Sequence, residues 1–154
     1  MFEPGEAILF DCGPLVTTVL DIMHNNMDVA ILDVSSSAHL VDVLEMPYRP
    51  NVRLVKTQEL AGKYGEKTYT YKFGGNTCLS GDVMGDFSFN VPLEPGDVLL
   101  IEDQMNYSFV KSTFFNGVKH PDIYIKDRSN FIKVKEYKYS DFRDRLGSKL
   151  GSRL

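Results

Sequence analysis

The sequence predicts a mainly β fold: one sandwich or barrel carrying one or two short helices. Apolar residues recur mostly with period two rather than 3.6. Short segments rich in Val, Ile, Thr, Tyr and Phe, about eight of them, are separated by Gly, Pro, Asn and Asp turn signals. A length of 154 residues with 43% hydrophobic side chains suits a single core.

Taken in order, residues 6–10 and 15–23 read as strands. His24-Asn25-Asn26 reads as a turn, because Asn tolerates positive φ, and residues 28–34 follow as a strand. A helix of one or two turns is expected over 39–45, and residues 57–67 read as a solvated loop. Residues 68–73 alternate aromatic and polar side chains, as a half-buried strand does. Residues 87–89 form a brief strand. Glu94-Pro95-Gly96-Asp97 is a turn, with Pro fixing φ and Gly following. Strands at 98–102 and 107–115 come next. Residues 122–126 and 131–137 flank Asp127-Arg128-Ser129-Asn130 as a hairpin. Ser140 is the expected N-cap of a helix over 141–146 that Gly147 stops. The β domain is therefore set at 1–147, with 148–154 as a flexible tail.

Composition excludes several classes of function. A net charge of −4 opposes non-specific binding to nucleic acid or anionic membrane. The most apolar stretch, 8–22, is broken by Asp11, Gly13, Pro14 and Asp21, so no bilayer span is expected. No basic-then-apolar leader is visible. Cys12 and Cys78 form no CxxC pair; a disulfide between them is left open, but without a leader they read as thiols of a cytoplasmic protein. His24, His39 and His120 show no metal-ligand spacing, and no metal is expected.

One loop stands out. Gly74-Gly75-Asn76-Thr77-Cys78-Leu79-Ser80-Gly81-Asp82 puts a thiol among glycines with an acid close by. Cys78 reads either as a small buried hydrophobe or as an exposed proton donor whose acidic neighbours, Asp82 and Asp86, oppose thiolate formation. Asp42, Glu45, Asp82 and Asp86 read either as solvated carboxylates or, if their segments meet, as a polycation site. Glu3 reads as a solvated turn residue and Tyr107 as a strand-end aromatic. No GxGxxG, GxSxG, P-loop or HExxH is present.

Four segments carry a resemblance. They are Glu3-Pro4-Gly5-Glu6-Ala7, then His39-Leu40-Val41-Asp42-Val43-Leu44-Glu45-Met46-Pro47-Tyr48-Arg49-Pro50, then the Gly74 to Val83 loop, and last the run from Tyr107 through Thr113-Phe114-Phe115-Asn116-Gly117. Together they resemble the C-terminal part of the carboxynorspermidine/carboxyspermidine decarboxylases. These belong to the fold-type III, alanine-racemase-like enzymes that use pyridoxal 5′-phosphate. The resemblance covers residues 2–146.

The resemblance implies a role for each matching residue. Glu3 would pair with the cofactor's pyridine nitrogen, where a carboxylate keeps the ring cationic. Tyr107 would donate to its phosphate. Cys78, reaching in from the neighbouring subunit of a homodimer, would protonate the carbon that loses CO2. Glu45, Asp82, Asp42 and His39 would line the polyamine site.

The resemblance also implies what this chain does not carry. The TIM-like barrel, with the phosphate loop and the lysine that binds the cofactor as a Schiff base, has no counterpart here. Lys56, Lys63, Lys67, Lys72 and Lys111 do not match that lysine. Pro14, Ser36-Ser37-Ala38, Val41 and Asn76 depart from the family pattern. The expected function is the C-terminal fragment or half of a decarboxylase that converts carboxynorspermidine or carboxyspermidine to norspermidine or spermidine. On that reading the chain is inactive without a barrel supplied in cis or in trans. The alternatives are a stand-alone polyamine-binding or regulatory β module, or a non-functional remnant.

Overall fold

The alternating Val, Thr and Ile of residues 15–25 extend as one long strand, β1 (Leu15–Asn25), which returns as β2 (Met27–Leu32). Asn26, at φ 61, makes the tight connection that its tolerance of positive φ permits. The register of β1 shifts between Val19 and Asp21. Its first half pairs with β7 (Val98–Ile101) and its second half with β2, so one strand serves both halves of the sheet. The computed structural model describes residue Phe2 and residues 4–147. The expected tail at 148–154 lies outside the described residues, as does Glu3.

The remaining sheet strands are β3 (Val52–Leu54), β4 (Glu59–Leu60), β5 (Tyr69–Gly74) and β6 (Val83–Phe89). The seven-stranded order is β4-β3-β7-β1-β2-β5-β6. Every pairing is antiparallel except β2 with β5. A parallel pair needs a long crossover. That crossover, residues 33–68, carries α2 (Ser36–His39), α3 (Val41–Glu45), β3 and β4.

The two sheet edges meet. Gly62, just past β4, exchanges both backbone hydrogen bonds with Ser88 of β6, at 2.9 and 3.0 Å. Arg49 locks this seam. It donates to the carbonyls of Gly62 at 2.5 Å and Asp86 at 3.2 Å, and its guanidinium lies 4.3 Å from the centre of the Phe87 ring. The sheet is thus a nearly closed barrel, one of the two architectures the strand pattern left open, and closure removes the edges that would otherwise pair with other chains. Its interior holds Phe73, Phe87 and Phe89 in a stack, with Leu32, Leu99 and Ile101 fully buried around them. Burying each ring contributes about 2 kcal/mol of transfer free energy.

Three expectations are corrected. Residues 6–10 are not a strand: α1 (Gly5–Leu9) is a short helix opened by the Ile8 N–H donating to the Pro4 carbonyl. Glu, Ala, Ile and Leu form helix readily where no partner strand is offered. Residues 107–115 are not a strand either, but α4 (Tyr107–Val110) followed by a 3-10 turn at Phe115–Gly117. The segment 57–67 contains β4 and the barrel seam rather than a free loop, and Ala61 within it is buried. Strand β3 escaped the sequence reading, although Val52 and Leu54 alternate with Arg53 and are fully buried.

The hairpin β8 (Ile123–Asp127) and β9 (Asn130–Lys135) turns where expected, with Arg128 at φ 55. It forms a separate two-stranded sheet. The last helix, α5 (Tyr139–Arg145), starts before Ser140. Asp141 accepts from the Lys138 N–H at 2.7 Å and takes the capping role, and Gly147 at φ 80 ends the helix.

Candidate functional site

The thiol loop is built around Asp82. Its backbone carbonyl accepts from Gly75 N–H at 2.8 Å, and its N–H donates to Leu79 at 2.9 Å, which pinches residues 75–82 into a closed turn. Gly75 is required there, since a Cβ would overlap the Asp82 carboxylate. The Asp82 side chain is buried at 4% exposure and points inward. It accepts from Ser35 Oγ at 2.8 Å, Ser36 N–H at 2.6 Å and Ser37 N–H at 3.3 Å. From its own loop it accepts from Thr77 Oγ1 at 2.5 Å and Thr77 N–H at 3.2 Å. The N–H groups of Ser36 and Ser37 belong to the first turn of α2, where no intrahelical acceptor exists, and a carboxylate satisfies them. Asp82 therefore ties the loop to α2, and its oxygens are already committed within the protein.

Asp42 is committed in the same way. It accepts from Tyr48 Oη at 2.9 Å and from Ser108 Oγ, which fastens α3 to α4, and it is buried. His39 is buried as well. Its Nδ1 accepts from Ser35 N–H at 3.1 Å, and Nε2 lies 3.1 Å from the Lys119 carbonyl, so Nε2 carries the proton. Burial pushes its pKa down to about 4, against the opposing pull of the Lys119 carbonyl.

That shift makes stability depend on pH. Below the unfolded value of 6.5 the unfolded chain binds a proton that buried His39 refuses until pH falls to about 4. Stability is therefore lost as pH falls through this window. Between pH 7 and 5 the loss from His39 alone is about 2 kcal/mol. Urea midpoints at the two pH values measure it, and His39→Gln should remove most of the dependence, leaving the smaller part from His120, whose pKa burial also pushes down. An equal pH dependence in that variant would assign the effect to other groups.

The remaining candidates are open to solvent. Cys78 is an exposed free thiol rather than a side chain buried in the barrel core. Its sulfur accepts from Asn116 Nδ2 at 3.1 Å. Glu45, at the end of α3, is half-exposed and ion-paired to Lys111 of the segment after α4. Glu45 draws the Lys111 pKa upward through that bond. The Lys111 ammonium also lies 5.5 Å from the ring centre of Tyr107, whose side chain is exposed. Ser37 Oγ to Thr77 Oγ1 at 3.2 Å and Thr113 N–H to the Ala38 carbonyl at 2.8 Å complete the assembly.

The structure thus brings three of the four resembling segments onto one connected surface: α2–α3, the thiol loop and residues 107–117. Exposed on it are Cys78, Glu45 and Tyr107, with Lys111 half-buried beside them, while Asp82, Asp42 and His39 hold it together from beneath. The serines of 35–37, Ser108, Asn116 and Lys111 were not singled out from the sequence as site residues. For Lys111 a signal existed: it stands four residues after Tyr107, one helical turn along, but it is lost when the segment is read as a strand.

A separate groove of about 900 Å3 lies between the barrel and the β8–β9 hairpin. Its lining is largely apolar and includes Pro14, Leu15, Leu100, Met105, Ile123 and Phe131. His39 reaches it; Cys78, Glu45 and Tyr107 do not. Among the described residues no cluster of His, Cys, Asp or Glu could hold a metal ion. No described helix is long and apolar enough to cross a membrane.

Residues 8–104 match the family described as pyridoxal-dependent decarboxylase, C-terminal sheet domain. The chain belongs to that family. Within it, the chain is 43% identical over 149 residues to the carboxyaminopropylagmatine decarboxylase of Synechocystis sp., covering 96% of this chain and 37% of that protein. It is 40% identical over 146 residues to the carboxynorspermidine/carboxyspermidine decarboxylase of Campylobacter jejuni, covering 91% of this chain and 38% of that one. The crystal structure of the C. jejuni carboxynorspermidine decarboxylase complexed with norspermidine superposes with a TM-score of 0.80 at 38% identity, covering 92% of this chain and 40% of that chain. The chain therefore spans about two-fifths of the length of these relatives. A diaminopimelate decarboxylase from Helicobacter pylori, at 21% identity and a TM-score of 0.76, shares the fold.

Proposed function

We propose that this sheet domain supplies one side of the active site of a pyridoxal-dependent carboxy-lyase acting on a carboxylated polyamine. The observation that carries the reading is that hydrogen bonds join the segments bearing the exposed Cys78 thiol, the ion-paired Glu45 carboxylate and the exposed Tyr107 phenol, in a chain at least 40% identical to two such decarboxylases. The substrate class spans the relatives' own names: a carboxynorspermidine, a carboxyspermidine or a carboxyaminopropylagmatine. All three share a cationic polyamine chain bearing one carboxylate.

The residues here fit the cofactor. An exposed Tyr107 phenol with the Lys111 ammonium beside it offers a neutral donor and a positive charge to a phosphate. Pyridoxal phosphate, when bound, supplies the electron sink for loss of CO2. The chain's own part is to hold and move a proton. The Cys78 S–H gives its proton to the carbon that has lost CO2, and the sulfur takes another from water. Glu45 receives a substrate amine by releasing Lys111. Asp82 and Asp42 act as anchors beneath the surface rather than as contacts to the amines, since their oxygens accept from the protein.

The apolar groove is proposed as the seat for a pyridoxal-binding barrel, joined in cis or in trans, with a homodimer bringing Cys78 to its partner's cofactor. A cytoplasmic setting agrees with two free thiols.

Co-expression with the barrel segment of the C. jejuni relative, followed by assay of CO2 release from the three carboxylated polyamines, tests the function. Release is expected from at least one of them with the pair, and from none with this chain alone. Silence with all three, while the same barrel segment works with its own sheet domain, would sink the proposal.

A further inference from the structure

The Cys78 thiol meets a partner that neither composition nor spacing announces. Asn116 lies 38 positions away in sequence, yet its amide Nδ2 stands 3.1 Å from the sulfur. Its backbone is held in the left-handed region, φ 57 and ψ 16, inside the 3-10 turn. That turn is fixed by Gly117 N–H to Phe114 at 2.8 Å and Val118 N–H to Phe115 at 3.1 Å. Left-handed φ is uncommon outside glycine, and asparagine tolerates it best among the side chains that also carry an amide. On the other side the loop bearing Cys78 is pinned by the buried Asp82 carboxylate. Both partners of the contact are thus set by structure around them.

We infer that Asn116 is a positioning residue for the Cys78 thiol. Its amide N–H donates to the sulfur, so the thiol's own proton stays free to be given elsewhere. When that proton leaves, the negative sulfur already has a donor in place. This rests on the proposed role of Cys78 as proton donor, but the contact itself can be measured without the complete enzyme.

The measurement is the rate of Cys78 alkylation by iodoacetamide in the isolated chain at pH 7.5. Peptide mass spectrometry separates Cys78 from the exposed Cys12, which serves as internal reference. The thiolate is the attacking species, so a donor on the sulfur raises the rate. Asn116→Gly keeps the left-handed backbone and removes the amide; it should slow Cys78 relative to Cys12 about threefold, given the partial compensation by intrinsic nucleophilicity. Asn116→Asp replaces the donor by an acceptor and should slow it further, by about tenfold. A Cys78 rate in Asn116→Gly equal to or above that of the unaltered chain overturns the inference. Its failure is distinct from that of the function. If Asn116→Gly slows alkylation yet Cys78→Ala leaves turnover intact in the reconstituted enzyme, the contact stands and the catalytic reading falls; the reverse pair of results does the opposite.

Discussion

In the reconstituted decarboxylase, Cys78→Ala lowers kcat by about a hundredfold or more and leaves KM within a few-fold of its original value. The split follows from where the thiol sits. It is exposed on a pinned loop, with its sulfur accepting from Asn116, and it is separate from the groups proposed to bind. Glu45, Lys111 and Tyr107 form their own contacts and remain in place when the sulfur is removed. A group that only transfers a proton to the reacting carbon contributes to the transition state and not to binding. Cys78→Ser keeps the shape but substitutes a far weaker acid, and should fall between the two. Steady-state CO2 release as a function of substrate concentration reads both constants. Unchanged kcat in Cys78→Ala removes the thiol from the chemistry; a loss confined to KM would make it a binding residue.

Asp82→Ala destabilises the folded chain by about 4 kcal/mol. The carboxylate is buried and accepts from Ser35, Ser36, Ser37 and Thr77. Removing it strands two buried donors, the Ser35 hydroxyl and the Ser36 N–H, each costing about 1–3 kcal/mol when left without an acceptor, and frees the part-buried donors of Ser37 and Thr77. Against a total domain stability of about 5–15 kcal/mol this is a large share. Asp82→Asn preserves volume but gives up one acceptor oxygen, and should cost about half as much. The same substitutions detach the thiol loop from α2, so protease cleavage within residues 75–81 should accelerate before global unfolding. Urea unfolding measures the first effect and limited proteolysis the second. A change below about 0.5 kcal/mol for Asp82→Ala, the range typical of surface positions, would contradict the anchor.

Several strands transferred well from sequence to structure because a strand is written locally: β1 and β5 alternate, β7 is a short β-branched and apolar run after a Pro-Gly turn, and the β8–β9 hairpin surrounds a recognisable turn. The errors fall where local pattern is ambiguous. Val52-Arg53-Leu54 is too short to stand out, and Tyr107 to Val110 can alternate or coil equally well until Ser108 finds Asp42. For the site, the resemblance named the segments and set Asp82 and Glu45 ahead of Asp42, but it carried no information on how deeply each acid is buried. Asp82, Asp42 and Glu45 look alike in sequence. Burial and partners separate them, with two as anchors and one as an exposed carboxylate paired with Lys111.

By itself the sequence determined a mainly β fold, most of the turns that punctuate it, and the loop that carries Cys78. These depend on side-chain alternation and on backbone preferences of Gly, Pro and Asn, which act over a few residues. Only the tertiary structure decided that the barrel closes through Gly62 and Ser88, that Asp82 is spent on α2, and that Asn116 meets the thiol. Each of these joins residues far apart in the chain. The hydrogen-bonding needs of buried groups set them, and those needs exist only once the core has packed and excluded water.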